Sequence, residues 1–323
     1  MTDHDRRAPL RIATRSSELA LRQAREVQRR LEAQGLASEL RTYRTTGDKR
    51  LDEPLSAIGA KGLFTEELEH DLRRGKVDCC VHSLKDLPTS SPEGLLVAAV
   101  LPREDPRDVV VLGPYTSAMR LQDLPRGARV GTSSLRRRAQ LLAIHPELDV
   151  VELRGNVPTR LRKVDAAQVD AAILAAAGLN RLDAPQHIAF HLEPPEWLPA
   201  AGQGAIAVQA RADDPELLAT LRLLDDRDTS VAVRAERAML AALDGGCQVP
   251  IGALAMRDLG GIVLHGLVAE PRGRRVVRGA RAVDPDDPEH DGRALALELR
   301  SRGGDAILDD LRRATRVPSP QPE

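Results

Sequence analysis

The feature that most constrains this chain is a rhythm. Short apolar runs alternate with amphipathic ones, the pattern stops at a proline-punctuated segment, and then it starts again. PLRIAT (9–14) reads as a short buried strand. Residues 17–34 follow as a helix, with Leu21, Ala24, Val27 and Leu31 at helical spacing and Ser16 or Ser17 as the cap. LASELRTY (36–43) alternates as a second strand. Strand, helix and strand with short connections predict a parallel α/β unit. LFTEELEHDLRRG (63–75) continues as a helix, KVDCCVHSLKDLP (76–88) as a strand running into a polar turn, and GLLVAAVLP (94–102) as a strand.

PREDPRD (102–108) reads as a linker. The rhythm then restarts with DVVVLG, ARVGT, a helix from Ser134 to about Ile144, LDVVELRG, a helix near 157–164 and VDAAILAAAGLN. EPPEWLPAAGQGA (193–205) is a second linker, followed by the strand AIAVQAR (205–211) and a helix near 214–224. TSVAVRAERAMLAAL (229–243) is a helix leading to IGALAM, GIVLHGLVAE and RRVVRGARAV, then two helices to about 315. Strands first and helices after predict a small α+β domain. The tail 317–323 is expected to be disordered.

Composition narrows the function. A net charge of -1 gives no whole-molecule attraction to nucleic acid or anionic membrane. Aromatic residues make up only 2% of the chain, too few for a base-stacking platform. The three cysteines, two of them adjacent, form neither a disulfide framework nor a CxxC metal pattern. The histidines lack partners at ligand spacing, so no metal site is expected. No apolar leader or 18-residue apolar run occurs, which predicts a cytoplasmic protein without a membrane span. Only five of the 47 basic residues are lysine, so a lone arginine carries less information than a lone lysine.

Five stretches place cationic and small polar residues where strands are expected to end, the edge at which open α/β sheets collect ligands. IATRSSELA supplies Arg15 and Ser17, and HSLKDLP supplies Ser83, Lys85 and Asp86 beside His82. GTSSLRRRAQLL supplies Thr132, Ser133 and Ser134 at a helix start, with Arg136, Arg137 and Arg138 in its first turn. LRGNVPTRL supplies Arg154 and Arg160, and GLNRL supplies Arg181. Consecutive helix residues point about 100° apart, so the three arginines of the triplet cannot all face one ligand. Each stretch alone also fits a bland reading, a cap or turn with solvated charges. Their convergence across two lobes predicts a cleft for a multiply negative small molecule, with Asp86 available to stabilise positive charge or move protons.

LDGGCQVPIG (243–252) ends a helix, with Gly245 suited to the left-handed position and Pro250 pushing the chain toward extended structure. Cys247 therefore sits on a loop, where it reads either as a small buried residue or as a reactive thiol.

RIATRSSELAL, GAKGLFTEELE, VHSLKDLPT, REDPRD, GTSSLRRRAQL, LRGNVPTRL, LPAAGQGAI, AERAML and GGCQVPIG occur in order over residues 11–252. Together they resemble the hydroxymethylbilane synthase (porphobilinogen deaminase) family. The resemblance implies a transferase of tetrapyrrole biosynthesis that joins four porphobilinogen molecules head to tail, releases four ammonia and yields linear hydroxymethylbilane. It implies a dipyrromethane cofactor joined by a thioether to Cys247, Asp86 as the catalytic acid, and Lys85, Ser83, Thr132, Ser133, Ser134, Arg136 and Arg137 as cofactor-binding residues. Arg15, Ser17, Lys61, Arg154, Arg160 and Arg181 are then substrate-binding. Ala57 stands where some members carry a second lysine ahead of Lys61.

The implied fold is two periplasmic-binding-protein-like, doubly wound α/β lobes plus a small C-terminal α+β domain. Residues 1–103 with 205–224 form the first lobe, 108–198 the second and 227–316 the third domain. The family expectation is a monomer with no nucleic-acid or membrane partner. The competing reading is a two-lobed carboxylate-binding protein without catalysis, which has no need of a cysteine on a glycine turn.

Overall fold

The computed structural model describes residues 8–45, 47, 65–244 and 249–316. Among these residues the strands form two five-stranded sheets and one three-stranded sheet. The chain divides into two compact units, one of residues 1–106, 175–185 and 202–230, the other of 107–174, 186–201 and 231–323.

In the first unit, β1 (Leu10–Arg15), β2 (Ser38–Tyr43) and β3 (Cys79–Ser83) are parallel, as the strand–helix–strand pattern predicts. β10 (Ile206–Arg211) joins antiparallel to both β3 and β4 (Leu95–Val100), giving the order β2-β1-β3-β10-β4. The period of two decides what covers each face. Ile12 and Cys79 point to the side packed by Ala24, Val27 and Leu31 of α1 (Glu18–Glu32). Their neighbours Ala13 and Cys80 meet Leu68 and Leu72 of α2 (Glu66–Arg73). Helices on opposite faces make the sheet doubly wound, and they explain why β1 and β3 read as nearly continuous apolar runs.

The second unit holds the sheet β7-β6-β8-β5-β9, built from β5 (Asp108–Leu112), β6 (Arg129–Gly131), β7 (Asp149–Val151), β8 (Ala171–Ala175) and β9 (Phe190–Leu192). β6 is parallel to β7 and β8, while β9 runs antiparallel to β5. Its core joins Val110, Val130, Val150, Ile173 and Trp197 to Leu141 of α3 (Leu135–Ile144). The α4 helix (Val157–Asp165) starts at Asn156, whose side chain accepts from the Thr159 N–H. β11 (Ile251–Asp258), β12 (Gly261–Ala269) and β13 (Val276–Val283) form the antiparallel meander expected near the C-terminus. It packs on α7 (Arg227–Ala242) and α8 (Pro288–Leu299) through Met239, Leu243, Leu295 and Leu299. A Cβ at Gly266 would stand 2.6 Å from the Met239 sulfur and 3.0 Å from Leu299 Cδ1, so a side chain there would force both to shift. A helix of residues Asp305–Arg316, α9, ends the described chain.

Two local expectations need adjustment. VDAAILAAAGLN is not one strand: β8 stops at Ala175 and α5 (Ala176–Arg181) begins at the next residue, since the alanine run is a better helix former than strand former. Arg181 therefore closes a helix and does not sit at a strand end. Past α6 (Pro215–Arg222), the end of α7 is followed by Asp244 in a left-handed conformation, with φ 51°. Gly245 and Cys247, like Lys61, Ala57 and most of the 45–62 loop, lie outside the described residues.

Candidate active site

The first unit brings five of the expected residues to one sheet edge. β1 and β3 pair in parallel through Ile12↔Cys79 and Ala13↔Cys80, so Arg15 and Ser83 leave the sheet side by side. Ser17 caps α1, accepting from the Ala20 N–H at 3.4 Å, as one of the two expected capping serines. Ser83 is held by a residue the sequence reading passed over. Buried Gln23 of α1 donates through Nε2 to Ser83 Oγ at 2.8 Å, and Ser83 Oγ donates back to Gln23 Oε1 at 3.0 Å.

After Ser83 the chain makes one tight helical turn, Leu84–Asp86, which carries Lys85 and Asp86. The turn is anchored beneath by Leu84, whose N–H donates to the Ala205 carbonyl at 3.0 Å. Gly202, at φ 72°, lets the neighbouring loop approach: a Cβ there would stand 3.0 Å from Leu84 Cγ. Lys85 Nζ reaches Gln203 Oε1 at 3.4 Å, and Gln203 Nε2 donates to the Pro106 carbonyl at 2.7 Å. Asp86 is half-buried, and among the described residues its carboxylate has no hydrogen-bond or ion-pair partner.

Behind this edge lies a buried polar chain. His82 Nε2 meets Gln209 Oε1 at 3.2 Å, and Gln209 Nε2 donates to Glu69 Oε1 at 3.0 Å. Burial pushes the His82 pKa down to about 4; the Gln209 hydrogen bond opposes this and the charge of Arg15 adds to it. His82 is thus a neutral member of the core and not a proton donor near pH 7. Arg181 also belongs to this unit, where its Nη2 donates to the Gly204 carbonyl at 2.7 Å. Burial lowers its pKa, with Glu104 and Glu26 acting in the opposite direction.

The second unit brings together Thr132, Ser133, Ser134, Arg136, Arg137, Arg154 and Arg160. β6 and β7 are parallel neighbours, so the loops after Gly131 and Val151 share an edge. Ser134 is the cap of α3, accepting from the Arg137 N–H at 3.4 Å. Thr132 Oγ1 accepts from the Ser134 N–H at 3.2 Å, and Ser133 Oγ donates to the Leu153 carbonyl at 3.0 Å. Arg160 Nε donates to the Gly155 carbonyl at 2.7 Å.

Arg136 and Arg137 share a partner that Arg138 does not, so the triplet does not face one way, as helix geometry leads one to expect. Although consecutive, they converge on one acid: Arg136 Nη1 reaches Asp108 Oδ2 and Arg137 Nη2 reaches Asp108 Oδ1, each at 2.7 Å. Arg138 turns away toward the Val150 carbonyl at 3.4 Å. Two long side chains can bend toward one carboxylate because its two oxygens accept from different directions. Burial alone would push the Asp108 carboxyl up, but the charges and hydrogen bonds of the two arginines hold it well below the usual carboxylate range. Asp108 sits at the end of the segment read as a linker. Its one sequence signal was an acid abutting the apolar run VVVL.

The donor set suits a ligand with several carboxylates. Arg137 Nε and Arg154 Nη1 are buried and lack a hydrogen-bond partner among the described residues. A buried guanidinium N–H left unpaired is costly, and an acetate or propionate oxygen would satisfy it. No helix among the described residues is long and apolar enough to cross a membrane. Each unit is an α/β fold with cationic and hydroxyl side chains at its strand ends, a donor set whose chemistry suits acid groups.

Comparison with known proteins makes the identification specific. Residues 10–219 match the family described as porphobilinogen deaminase, dipyromethane cofactor binding domain, and residues 230–301 match porphobilinogen deaminase, C-terminal domain. Porphobilinogen deaminase of Syntrophobacter fumaroxidans is 47% identical over 307 residues, covering 94% of this chain and 98% of its own. That of Pelobacter propionicus is 49% identical over 304 residues, covering 94% and 97%. The chain belongs to the porphobilinogen deaminase family. Among solved structures, a nutrient binding protein from Burkholderia cenocepacia bound to methionine is similar at a TM-score of 0.42 and 14% identity, covering 66% of this chain and 89% of its own. At that distance nothing about ligand follows from it.

Proposed function

We propose that the chain catalyses the stepwise head-to-tail condensation of four porphobilinogen molecules, with release of four ammonia and then of linear hydroxymethylbilane. It is a transferase of tetrapyrrole biosynthesis that works with a dipyrromethane cofactor. The observation that carries this reading is the match of both family domains, over residues 10–219 and 230–301. When bound, the dipyrromethane supplies the free pyrrole end on which the chain is built.

The site residues take these roles in our reading. Cys247 is the thioether anchor. Ser83, Lys85, Thr132, Ser133, Ser134, Arg136 and Arg137 hold the acid arms of the cofactor; Arg15, Ser17, Lys61, Arg154, Arg160 and Arg181 hold those of incoming porphobilinogen. The unpaired Arg137 Nε and Arg154 Nη1 support this, because each is a donor in need of an anionic acceptor.

Porphobilinogen reacts by losing its aminomethyl nitrogen. From the protonated aminomethyl group the C–N bond breaks, nitrogen leaves with the bonding pair as ammonia, and the ring nitrogen's lone pair flows in behind it. Positive charge then develops on the ring N–H. Asp86 accepts that N–H as a hydrogen bond and stabilises the charge, an interaction stronger in the transition state than in the ground state. It also serves to move protons to the departing amine. The half-buried turn that carries it, with no competing partner among the described residues, supports this role.

We further propose a cytoplasmic monomer with no nucleic-acid or membrane partner, and a three-domain division in which residues 227–316 form the cysteine-bearing domain. Incubation with porphobilinogen tests the function: one ammonia per porphobilinogen consumed, with a linear tetrapyrrole as product, is expected. Porphobilinogen bound but unconsumed by freshly purified protein would overturn it.

A further inference from the structure

The buried polar group least explained by the roles above is Asp108. It opens β5 and is 0% exposed. Its Oδ1 accepts from Arg137 Nη2 at 2.7 Å; its Oδ2 accepts from Arg136 Nη1 at 2.7 Å and from Trp197 Nε1 at 2.9 Å. Arg136, Arg137 and Trp197 are 5%, 6% and 2% exposed, so water does not compete for these bonds. Without the acid, two buried guanidiniums on adjacent helix residues would repel and turn apart. With it, one charge is cancelled and the group retains a net charge of one positive unit.

Trp197 supplies what a third cation could not. Its indole N–H fills a remaining lone pair on Oδ2 without adding charge, and so fixes the plane of the carboxylate. The tryptophan is itself stapled to α3. The carbonyl of the next residue, Leu198, accepts from Arg136 Nη1 at 2.7 Å and Gln140 Nε2 at 2.9 Å. The Leu198 N–H donates to Gln140 Oε1 at 2.8 Å. Arg137 keeps its Nε unpaired among the described residues, so the pair is held in place but not saturated.

We propose that Asp108, oriented by Trp197, is the positioning residue that pre-organises Arg136 and Arg137 to hold a carboxylate, and that Trp197 reports whether that carboxylate is bound. The proposal rests on the reading that these arginines hold the acid arms of the cofactor. An incoming carboxylate competes with Asp108 for the guanidinium donors, which changes the charge felt by the indole N–H. Trp197 is the only tryptophan of the chain, so its emission has no other source.

The test uses full-length protein made without porphobilinogen, then incubated with porphobilinogen while intact mass and tryptophan emission are followed together. In the wild type, emission is expected to change in step with the gain in mass. Asp108→Asn is expected to load about thirtyfold or more slowly, the factor for removing one partner of a buried charge pair. Should that variant fail to fold, the double variant Asp108→Asn with Arg136→Gln removes the excess charge; it is expected to fold and to load more slowly than Arg136→Gln alone. Trp197→Phe, which keeps all three charges, is expected to load several-fold more slowly by the loss of one neutral hydrogen bond. Wild-type loading of Asp108→Asn, or, where that variant does not fold, loading of the double variant no slower than that of Arg136→Gln, would overturn the positioning role. Emission unchanged on loading would overturn the reporter role. Slow loading of Arg137→Gln beside either result leaves the arginine assignment standing. Normal loading of both Arg136→Gln and Arg137→Gln would remove that assignment, and this proposal with it.

Discussion

The two units place different kinds of polarity beneath their ligand-facing edges. Under the Asp86 turn, the first unit buries His82, Gln209 and Glu69 in a row, and the imidazole at its head is held neutral. Glu69 accepts from Gln209 Nε2, which leaves Gln209 Oε1 to accept the proton that His82 carries on Nε2. Under the Ser134 cap, the second unit buries a carboxylate between two guanidiniums. The first arrangement ties β3, β10 and α2 together behind the turn that carries Lys85 and Asp86. The second keeps a net positive charge buried at the start of α3. The contrast fits the roles proposed above, proton chemistry at the first edge and anion capture at the second.

The largest expected effect separates those tasks. Asp86→Asn keeps the shape and removes the charge, so turnover should fall by roughly 10²–10⁴-fold, the usual range for a group that moves protons in the transition state. Its binding of porphobilinogen, read by equilibrium dialysis, should remain that of the wild type. Equal losses of binding and turnover in this variant would erase the proposed division of labour.

A smaller effect probes the neutral row. Gln209→Leu leaves a buried imidazole and a buried carboxylate without their shared partner, which should cost about 3 kcal/mol of stability. Denaturant melting measures it. A change within experimental error would show that the row is not a structural element.

Acid titration probes the same row without a mutation. The His82 pKa is lowered from 6.5 to about 4 in the folded chain, chiefly by burial. Between those values the unfolded chain binds the proton and the folded chain does not, so stability falls as pH drops from 6.5 toward 4. The loss from this group is at most about 3 kcal/mol. Asp108, ionised in the folded chain throughout that window, adds to the same fall only at its acid end, where the unfolded carboxylate nears its ordinary value of 3.8. A pH-independent stability between 6.5 and 4 would contradict the placement of His82.

The smallest effect concerns thiols. Burial pushes the Cys79 pKa up to about 12, and that of Cys80 also rises well above its ordinary value. Alkylation of the folded protein near neutral pH should leave both untouched and label them only after denaturation.

Much of this was legible from residue order. The period of two in RIAT and DCCV placed alternate side chains on opposite faces, and capping chemistry marked Ser17 and Ser134 as helix starts. The cationic residues at strand ends followed from the fold rule alone. Tertiary partnerships were not legible. Asp108 is 89 residues from Trp197, and Gln209 is 140 from Glu69, so no local pattern joins them. The prolines of PREDPRD mark a linker, although its last residue opens a buried strand. Arg181 follows an apolar run whose sequence does not show where strand gives way to helix; helix propensity puts it at the end of α5. The glycine turn singles out Cys247, and the anchor role proposed for it comes from the family resemblance.

The account turns on whether Cys247 carries two linked pyrroles. Intact-mass measurement of the protein from cells able to make porphobilinogen tests this directly. The account predicts a mass above the sequence value by one dipyrromethane, stable to reducing agents and lost in Cys247→Ala. An unmodified mass in the wild type, or the same added mass in Cys247→Ala, would contradict it.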